Sequence, residues 1–201
     1  MIRMFARSTF ALALVAVTAT SAHAQAAATT QAPGRAAQPS TRATVAVSLT
    51  APQGVQGVMP LTIKIDYGQP HLRGRRLHTP DLVPLDSVWR LGANATTMLE
   101  TETDLVIGGQ RLAKGKYALW TLPTSSGWKL IVNSNIGAEA GTYAAAQDVA
   151  RIDLRRRALT APVESFSMWL IPSRDPGTPA GVLRFAWGDV ELSVDWSAPG
   201  A

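Results

Sequence analysis

The sequence predicts an all-β fold, an antiparallel β-sandwich of jelly-roll-like type, preceded by a signal peptide and a disordered tether. Apolar and polar residues alternate in short segments near both ends of the folded part. Gly, Pro, Asn and Ser recur at short intervals between such segments, and almost no segment has the period of an amphipathic helix. Many short strands separated by these turns are typical of sandwiches and barrels.

Residues 1–24 have the features of a secretory signal peptide. Arg3 and Arg7 provide a positive start, residues 10–17 form an apolar run, and Ala22-His23-Ala24 is a small-residue cleavage pattern. The run is shorter than the roughly 20 residues that a transmembrane helix needs. We therefore expect an exported protein, periplasmic or extracellular, with no transmembrane segment.

Residues 25–43 consist mainly of Ala, Gln, Thr and Pro and contain no large apolar side chain. Such a segment cannot drive burial, so we predict a disordered linker. Residues 44–197 contain no second linker and no internal repeat. We predict that they form a single β-sandwich domain.

The most regular strands are predicted near the two ends of this domain. Apolar and polar residues alternate over residues 44–49 and 61–67, the period of a half-buried strand. Residues 183–187 and 190–196 alternate in the same way. Gly188-Asp189 between them is typical of a two-residue hairpin turn, so we predict a β-hairpin there.

Further strands are predicted between the turn signals in the middle of the chain. Their approximate ranges are 103–107, 111–112, 116–122, 127–133, 149–156 and 163–171. Only residues 144–148 have the composition of a short helical turn, which is too little to change the fold class.

The charge and the cysteine count exclude several functions. The formal net charge of +5 falls to +3 without residues 1–24, because that segment contributes two arginines and no acidic residue. The remaining basic residues are mixed with acidic ones and form no basic stripe, so we expect no nucleic-acid partner. The chain has no cysteine, which excludes disulfides and thiolate chemistry.

The first candidate site is the loop after the second strand, residues 67–76. Its glycines let the backbone bend or approach a ligand closely. Arg73, Arg75 and Arg76 carry guanidinium groups that suit carboxylate, phosphate or sulfate groups. The alternative is a solvated loop whose arginines pair with nearby aspartates, because exposed pairs are common and contribute little stability.

The second candidate site is the end of the next apolar segment, where Trp89, Arg90 and Asn94 precede a turn. Arg90 and Asn94 would join the first loop at one rim of the sheet. Alternatively, Asn94 bonds its own turn and Trp89 belongs to the core. Asp148 is a third candidate, although a turn position before the following strand is the favoured interpretation.

Metal and hydrolase chemistry have weaker signals. His71 and His78 lie near Asp81 and Asp86, but their spacing matches no known metal motif, so we expect no metal and no cofactor. No G-x-S-x-G sequence places a nucleophilic serine on a strained turn.

The six tryptophans suggest sugar binding, because exposed aromatic rings bind sugars. Trp187 and Trp196 lie on the apolar faces of their strands and are expected in the core. Trp120, Trp128 and Trp169 fit either environment, because their strands are apolar on both faces.

Several segments occur together in a recognisable order. They are Tyr67-Gly68-Gln69-Pro70 with Arg73-Gly74-Arg75, Trp89-Arg90-Leu91-Gly92-Ala93-Asn94, Ile107-Gly108-Gly109, Lys114-Gly115-Lys116-Tyr117, and Tyr143 with Gln147-Asp148-Val149-Ala150-Arg151. With these segments the chain resembles the bacterial domain-of-unknown-function family 2911 over nearly the whole folded region. The resemblance implies an exported β-rich domain without an established activity.

The sequence favours a non-catalytic binding module, because it has no nucleophile and base in a known arrangement. The ligand would be a small polar or anionic molecule or a cell-envelope carbohydrate. The residues predicted to bind it are Arg73, Arg75, Trp89, Arg90, Asn94 and Asp148.

Two alternatives stay open. One is a hydrolase-type enzyme that uses His71 or His78 with a carboxylate such as Asp81 or Asp148, with or without a metal. The other is a structural domain in which a buried ion-pair network fixes the loops and no ligand binds.

Overall fold

The computed structural model describes residues 40–136, 142–175 and 177–201. Within these residues the chain forms nine strands and one short 3₁₀ turn, so the predicted all-β class is confirmed. The elements are β1 (Arg42–Leu49), β2 (Leu61–Gly68), β3 (Thr97–Thr101), β4 (Leu105–Ile107), β5 (Gln110–Leu112), β6 (Gly115–Pro123), β7 (Trp128–Asn133), the 3₁₀ turn (Ala145–Gln147), β8 (Asp148–Pro172) and β9 (Ala180–Ser197).

The strands form one open antiparallel sheet in the order β1-β2-β3-β6-β7-β8-β9-β4-β5. Residues on alternating positions of each strand share one face, and the apolar face is buried. Ile65 of β2 lies opposite Leu99 of β3, for example, and both are fully buried. They belong to one apolar cluster with residues from the other half of the sheet, such as Phe185 and Val194 of β9. Burial of this shared face is the main source of stability.

The predicted hairpin at Gly188-Asp189 is wrong. Residues 180–197 form one continuous strand, β9, which pairs along its length with β8. Gly188 has φ of +58° and lies opposite Val163, next to an irregularity in the register. The buried positions shift phase here, from Trp187 to Val190. Gly188 therefore bends the strand and resets its alternation without reversing the chain.

Other boundaries also differ from the prediction. Residues 149–156 and 163–171 were predicted as two strands, but both lie in β8, which is 25 residues long and has irregular pairing between them. β3 was not predicted, because two of its three buried positions are the threonines Thr97 and Thr101. β1 begins at Arg42, two residues before the predicted start of the domain.

Two predicted turns are present. Gly108 and Gly109 join β4 to β5 with φ of +54° and +83°, as a tight hairpin requires. The short helical turn predicted near residues 144–148 is the 3₁₀ turn Ala145–Gln147. The predicted signal peptide, residues 1–24, and most of the predicted linker lie outside the described residues. In the part of the chain that the structure describes, no helix has the length and hydropathy needed to cross a membrane.

Candidate functional site

An open groove of about 560 Å³ lies beside the Arg-Gly-Arg loop. Its volume falls within the range of small-molecule binding sites, roughly 300–1,000 Å³. We call it the Arg75 groove. Its lining residues are Leu72, Gly74, Arg75, Arg76, Leu77, His78, Pro162, Glu164, Gly188 and Asp189.

The loop is attached to strand β8. The backbone N–H of Leu72 donates to the carbonyl oxygen of Glu164 at 2.9 Å, and the N–H of Phe166 donates to that of Pro70 at 2.9 Å. The N–H of Arg73 also donates to the Glu164 carboxylate, with 2.7 Å between N and Oε1. The chain after β2 therefore continues as a short additional pairing with β8, and Glu164 stands at the groove because of it.

The guanidinium of Arg75 is held by its own loop. Its Nε donates to the carbonyl oxygen of Leu72 at 2.9 Å, and its Nη2 donates to that of His71 at 2.8 Å. These bonds use two of the five N–H donors of the side chain and fix the plane of the guanidinium. Arg75 thus presents an oriented positive charge at the wall of the groove.

The lining of the groove carries charges of both signs beside apolar side chains. Arg75 and Arg76 supply two guanidinium groups, and Glu164 and Asp189 supply two carboxylates. The apolar residues of the lining are Leu72, Leu77 and Pro162. The groove can therefore bind a ligand that combines an anionic group with hydroxyl or amino donors and an apolar surface.

The segment that carries this loop has an unusual backbone. Among the described residues, all non-glycine residues with positive φ lie between Arg73 and Asn94. They are Arg73, His78, Val83, Asp86, Leu91 and Asn94. Such conformations are unfavourable for side chains with a Cβ and persist only when the surrounding structure imposes them. We conclude that this segment is held in one defined shape.

The Trp89–Asn94 segment contacts other parts of the molecule. The Trp89 ring stacks on Trp187 with 5.6 Å between centroids and packs edge-on against Phe166 at 5.3 Å. The Nη1 of Arg90 donates to the carbonyl oxygen of Asn94 at 2.8 Å. The Nδ2 of Asn94 donates to the carbonyl oxygen of Ser40 at 3.1 Å, next to the start of β1.

A close backbone contact joins Ala93 of this segment to Gly68 at the end of β2. The N–H of Ala93 donates to the carbonyl oxygen of Gly68 at 3.2 Å. A Cβ on Gly68 would lie only 1.8 Å from the carbonyl oxygen of Ala93. The hydroxyl of Thr97 adds a bond to the carbonyl oxygen of Leu91 at 2.7 Å. The segment is therefore packed tightly on the end of β2.

Asp148 is the centre of a polar network at the start of β8. Its Oδ1 accepts from Asn133 Nδ2 at 2.8 Å, and its Oδ2 accepts from the Tyr143 hydroxyl at 2.6 Å and from Arg151 Nε at 2.8 Å. Nη2 of Arg151 also donates to the Tyr143 hydroxyl at 2.8 Å. The Tyr143 ring packs on Trp120, with 5.4 Å between centroids. Burial and then the bond to Asp148 raise the pKa of Tyr143.

The structure thus places the predicted site residues in three regions. Arg75 lines the groove, and Arg73 lies in the same loop. Arg90 and Asn94 lie near the start of β1, while Trp89 packs in the aromatic core. Asp148 leans toward Arg151 of its own strand instead of toward Arg73, Arg75 or Arg90.

Sequence reasoning did not select several groove residues. They are Leu77, Pro162, Glu164 and Asp189. Glu164 lies 91 positions from Arg73, and only the pairing with β8 brings them together. Asp189 was assigned to a hairpin turn. The Gly188-Asp189 pair is the sequence signal at this position, but it also fits a hairpin turn.

The histidines have different partners. His71 Nδ1 lies 2.7 Å from the Ser165 hydroxyl oxygen, and His78 Nδ1 lies 3.2 Å from the carbonyl oxygen of Val83. Over the described ranges, no group of three or more His, Cys, Asp or Glu side chains is arranged to hold a metal ion.

The fold and the groove define an all-β protein built on one antiparallel sheet, with a charged groove where the loop after β2 meets β8 and β9. The chain belongs to the family described as protein of unknown function DUF2911, whose model matches residues 51–196. The match spans the strands and loops that form the groove. Comparison with the curated proteins and with the solved structures found no match.

Proposed function

We propose that the protein is an exported binding module whose Arg75 groove holds a small polar or anionic ligand, including fragments of cell-envelope carbohydrate. One observation carries the proposal. The guanidinium of Arg75, fixed by the carbonyl oxygens of Leu72 and His71, stands at the wall of a groove of about 560 Å³. An oriented guanidinium loses little conformational freedom on binding a carboxylate, phosphate or sulfate.

The other groove residues support the same proposal. Glu164 and Asp189 are acceptors for ligand hydroxyl groups, and the apolar lining residues such as Leu77 suit the apolar face of a sugar ring or a short aliphatic part. The backbone of the segment from Arg73 to Asn94 is already fixed, so less conformational entropy is lost when a ligand binds.

The proposal also includes export of the protein and a sandwich-like packing of the two halves of the sheet. The support for export is the signal-peptide pattern of residues 1–24. The support for a sandwich-like packing of the two halves of the sheet is the single apolar cluster that both halves share.

Thermal unfolding tests the proposed function. The purified chain would be heated with and without sulfate, phosphate, simple sugars, uronates and envelope fragments. A ligand at about 100 times its Kd adds about 2.7 kcal/mol of stability, which raises Tm measurably. We expect at least one ligand to raise the Tm of the wild type and of an Arg111→Ala control, but not of Arg75→Ala.

Arg111 is an exposed arginine of β5 outside the groove, so its removal changes the net charge equally. If no compound in the panel raises Tm, or if Arg75→Ala responds like the wild type, the proposed function is wrong.

A hydrolase is the second candidate function. The observation that favours it is the 2.7 Å contact between the Ser165 hydroxyl and His71 Nδ1, since a nucleophilic serine needs a base within hydrogen-bond distance. Broad screening with activated ester substrates tests it. Hydrolysis that Ser165→Ala and His71→Ala both abolish, with folding retained, would support the enzyme.

The third candidate is a purely structural role for the arginines. The two bonds of Arg75 to backbone carbonyls are the observation behind it. In that case Arg75→Ala lowers the free energy of unfolding while no compound stabilises the wild type. A ligand-binding role instead predicts a lost ligand response with a small change in stability, because the Arg75 side chain is exposed.

A further inference from the structure

A second groove, of about 420 Å³, shares His78 with the Arg75 groove. We call it the hydroxyl groove, because Thr124, Ser125 and Ser126 of the β6–β7 turn lie in its lining. Arg156 of β8 is also in its lining. The two grooves therefore meet at one residue and carry different polar groups.

His78 is held in a defined position at this junction. Its ring packs edge-on against Trp128, with 5.4 Å between centroids. Its Nδ1 faces the carbonyl oxygen of Val83 at 3.2 Å. A carbonyl oxygen only accepts hydrogen bonds, so Nδ1 carries the proton and Nε2 is the acceptor of the neutral ring. The backbone φ of His78 is +61°, which the surrounding loop imposes.

We infer that the natural ligand is an acidic oligosaccharide long enough to occupy both grooves across His78. This inference rests on the proposed function, because it extends the Arg75 site into the hydroxyl groove. A molecule that contacts both grooves must be extended, since each groove alone has the size of a small-molecule site.

The lining favours a sugar chain. Sugars carry many hydroxyl groups. These can form hydrogen bonds with the protein hydroxyl groups of the hydroxyl groove, with the carboxylates of Glu164 and Asp189 and with the Nε2 of His78. Acidic groups that recur along a sugar chain suit the guanidinium groups of Arg75 in one groove and Arg156 in the other. By contrast, an extended peptide is usually bound by main-chain hydrogen bonds at a sheet edge. The residues that line these two grooves lie mainly in loops and would contact a ligand through their side chains.

Calorimetric titration with hyaluronan oligosaccharides tests this inference, because these chains carry one carboxylate in every second sugar. The disaccharide, tetrasaccharide and hexasaccharide would be titrated into the purified chain. Neutral cello-oligosaccharides of equal length are the charge control, and an acidic peptide tests the other ligand class. The variants are Arg76→Ala in the Arg75 groove, Arg156→Ala in the hydroxyl groove, and the distant control Arg111→Ala.

We expect the hexasaccharide to bind at least about tenfold more tightly than the disaccharide. The reason is that sugars linked to those in the first groove can occupy the second groove at the same time. Arg156→Ala should remove most of this gain, so it should weaken binding of the hexasaccharide more than binding of the disaccharide. Arg76→Ala should weaken both, and Arg111→Ala neither.

Affinity that does not increase with length overturns the inference, even where the disaccharide binds and the proposed function stands. Equal binding of the neutral chains, tighter binding of the acidic peptide, or no sugar binding at all also overturns it. The response of the Arg75→Ala variant to small anions then decides separately whether the proposed function holds.

Discussion

Asp148 shows what one partly buried carboxylate does in this molecule. It accepts hydrogen bonds from Asn133, Tyr143 and Arg151, and its side chain is only 11% exposed. These bonds connect the end of β7, the segment before the 3₁₀ turn and the start of β8. A carboxylate with this many donors is costly to replace even by an amide, because the amide keeps only one accepting oxygen and turns an NH2 group toward the remaining donors.

Replacing Asp148 with Asn should therefore lower the free energy of unfolding by about 1–3 kcal/mol. Asp153→Asn is the matched control on the same strand, because Asp153 pairs with Lys129 but its side chain is 84% exposed. The control should cost less than about 1 kcal/mol. Urea unfolding of both variants measures the difference, and equal losses would show that the network contributes no more than a surface pair.

The second prediction for a single residue concerns Gly68. The Cβ of an alanine would lie 1.8 Å from the carbonyl oxygen of Ala93 and 2.7 Å from its carbonyl carbon. Both atoms are backbone, so they cannot move aside as a flexible side chain would. Gly68→Ala should cost the upper end of the roughly 1–3 kcal/mol that overpacking causes.

Gly127→Ala is the control for this substitution, because a Cβ at Gly127 meets no atom within 4 Å and its φ is not positive. Thermal or urea unfolding compares the two variants. A Gly68→Ala protein as stable as Gly127→Ala would contradict the close packing of the Trp89–Asn94 segment on β2.

Single residues were predicted from sequence with uneven success. The alternation of β9 correctly predicted that Trp187 and Trp196 are buried. Trp169 could not be assigned from its strand and is partly exposed, with the Arg184 guanidinium 4.9 Å from its ring. Its neighbours across the sheet decide its environment, and these are not visible in local sequence.

At the scale of elements, β9 and its partner β8 explain why the predicted hairpin at Gly188-Asp189 is wrong. A Gly-Asp pair between alternating segments suits a two-residue turn, but a glycine with positive φ also suits a bulge within a strand. The choice depends on the partner strand. β8 extends past Gly188 on both sides and contributes extra residues opposite it, so the strand continues.

Gly188→Ala should therefore destabilise the β8–β9 pairing. Its φ of +58° costs an alanine roughly 1–2 kcal/mol, and the Cβ would lie 3.1 Å from Cδ1 of Leu77. Gly74→Ala separates the two effects, because Gly74 has φ of +76° but no atom within 4 Å of a Cβ. In urea unfolding we expect Gly188→Ala to lose more stability than Gly74→Ala, whereas a smaller loss would contradict the contact with Leu77.

At the scale of the whole molecule, the sequence could predict the strands better than the groove. Alternation is a local signal, and it indicated most strands correctly. The groove combines the loop at residues 72–78 with Glu164 and Asp189, which are distant in sequence. Their meeting depends on the order of strands in the sheet, and a single sequence does not contain that order in any local pattern.

The ion pairs on the sheet surface predict how stability responds to acid. Hydrogen bonds from Lys64 and Lys116 lower the pKa of Glu100, and hydrogen bonds from Arg157 and Arg155 lower the pKa values of Glu191 and Asp195. A lowered folded-state pKa gives stability that is present above the ordinary pKa values of 4.5 and 3.8 and is lost as pH falls through the folded values. Urea unfolding below pH 5 should show this loss, and added salt should reduce it because the pairs of Glu100 and Asp195 are exposed.

The ionisation of the three tyrosines should lower the stability of the folded protein in alkali. Burial raises the pKa of Tyr67, Tyr117 and Tyr143 above the ordinary value of 10.0. In the unfolded chain these phenols ionise at that ordinary value, so alkali favours the unfolded state. The stability that they contribute is complete below pH 10 and is lost as pH rises through the folded-state values. Urea unfolding from pH 8 to 11 should therefore give a falling free energy of unfolding, with a shallower slope for Tyr143→Phe because one ionising group is removed. A slope that stays the same in this variant would contradict the assignment of the alkaline transition to Tyr143, and a stability that does not change with pH would contradict it for all three tyrosines.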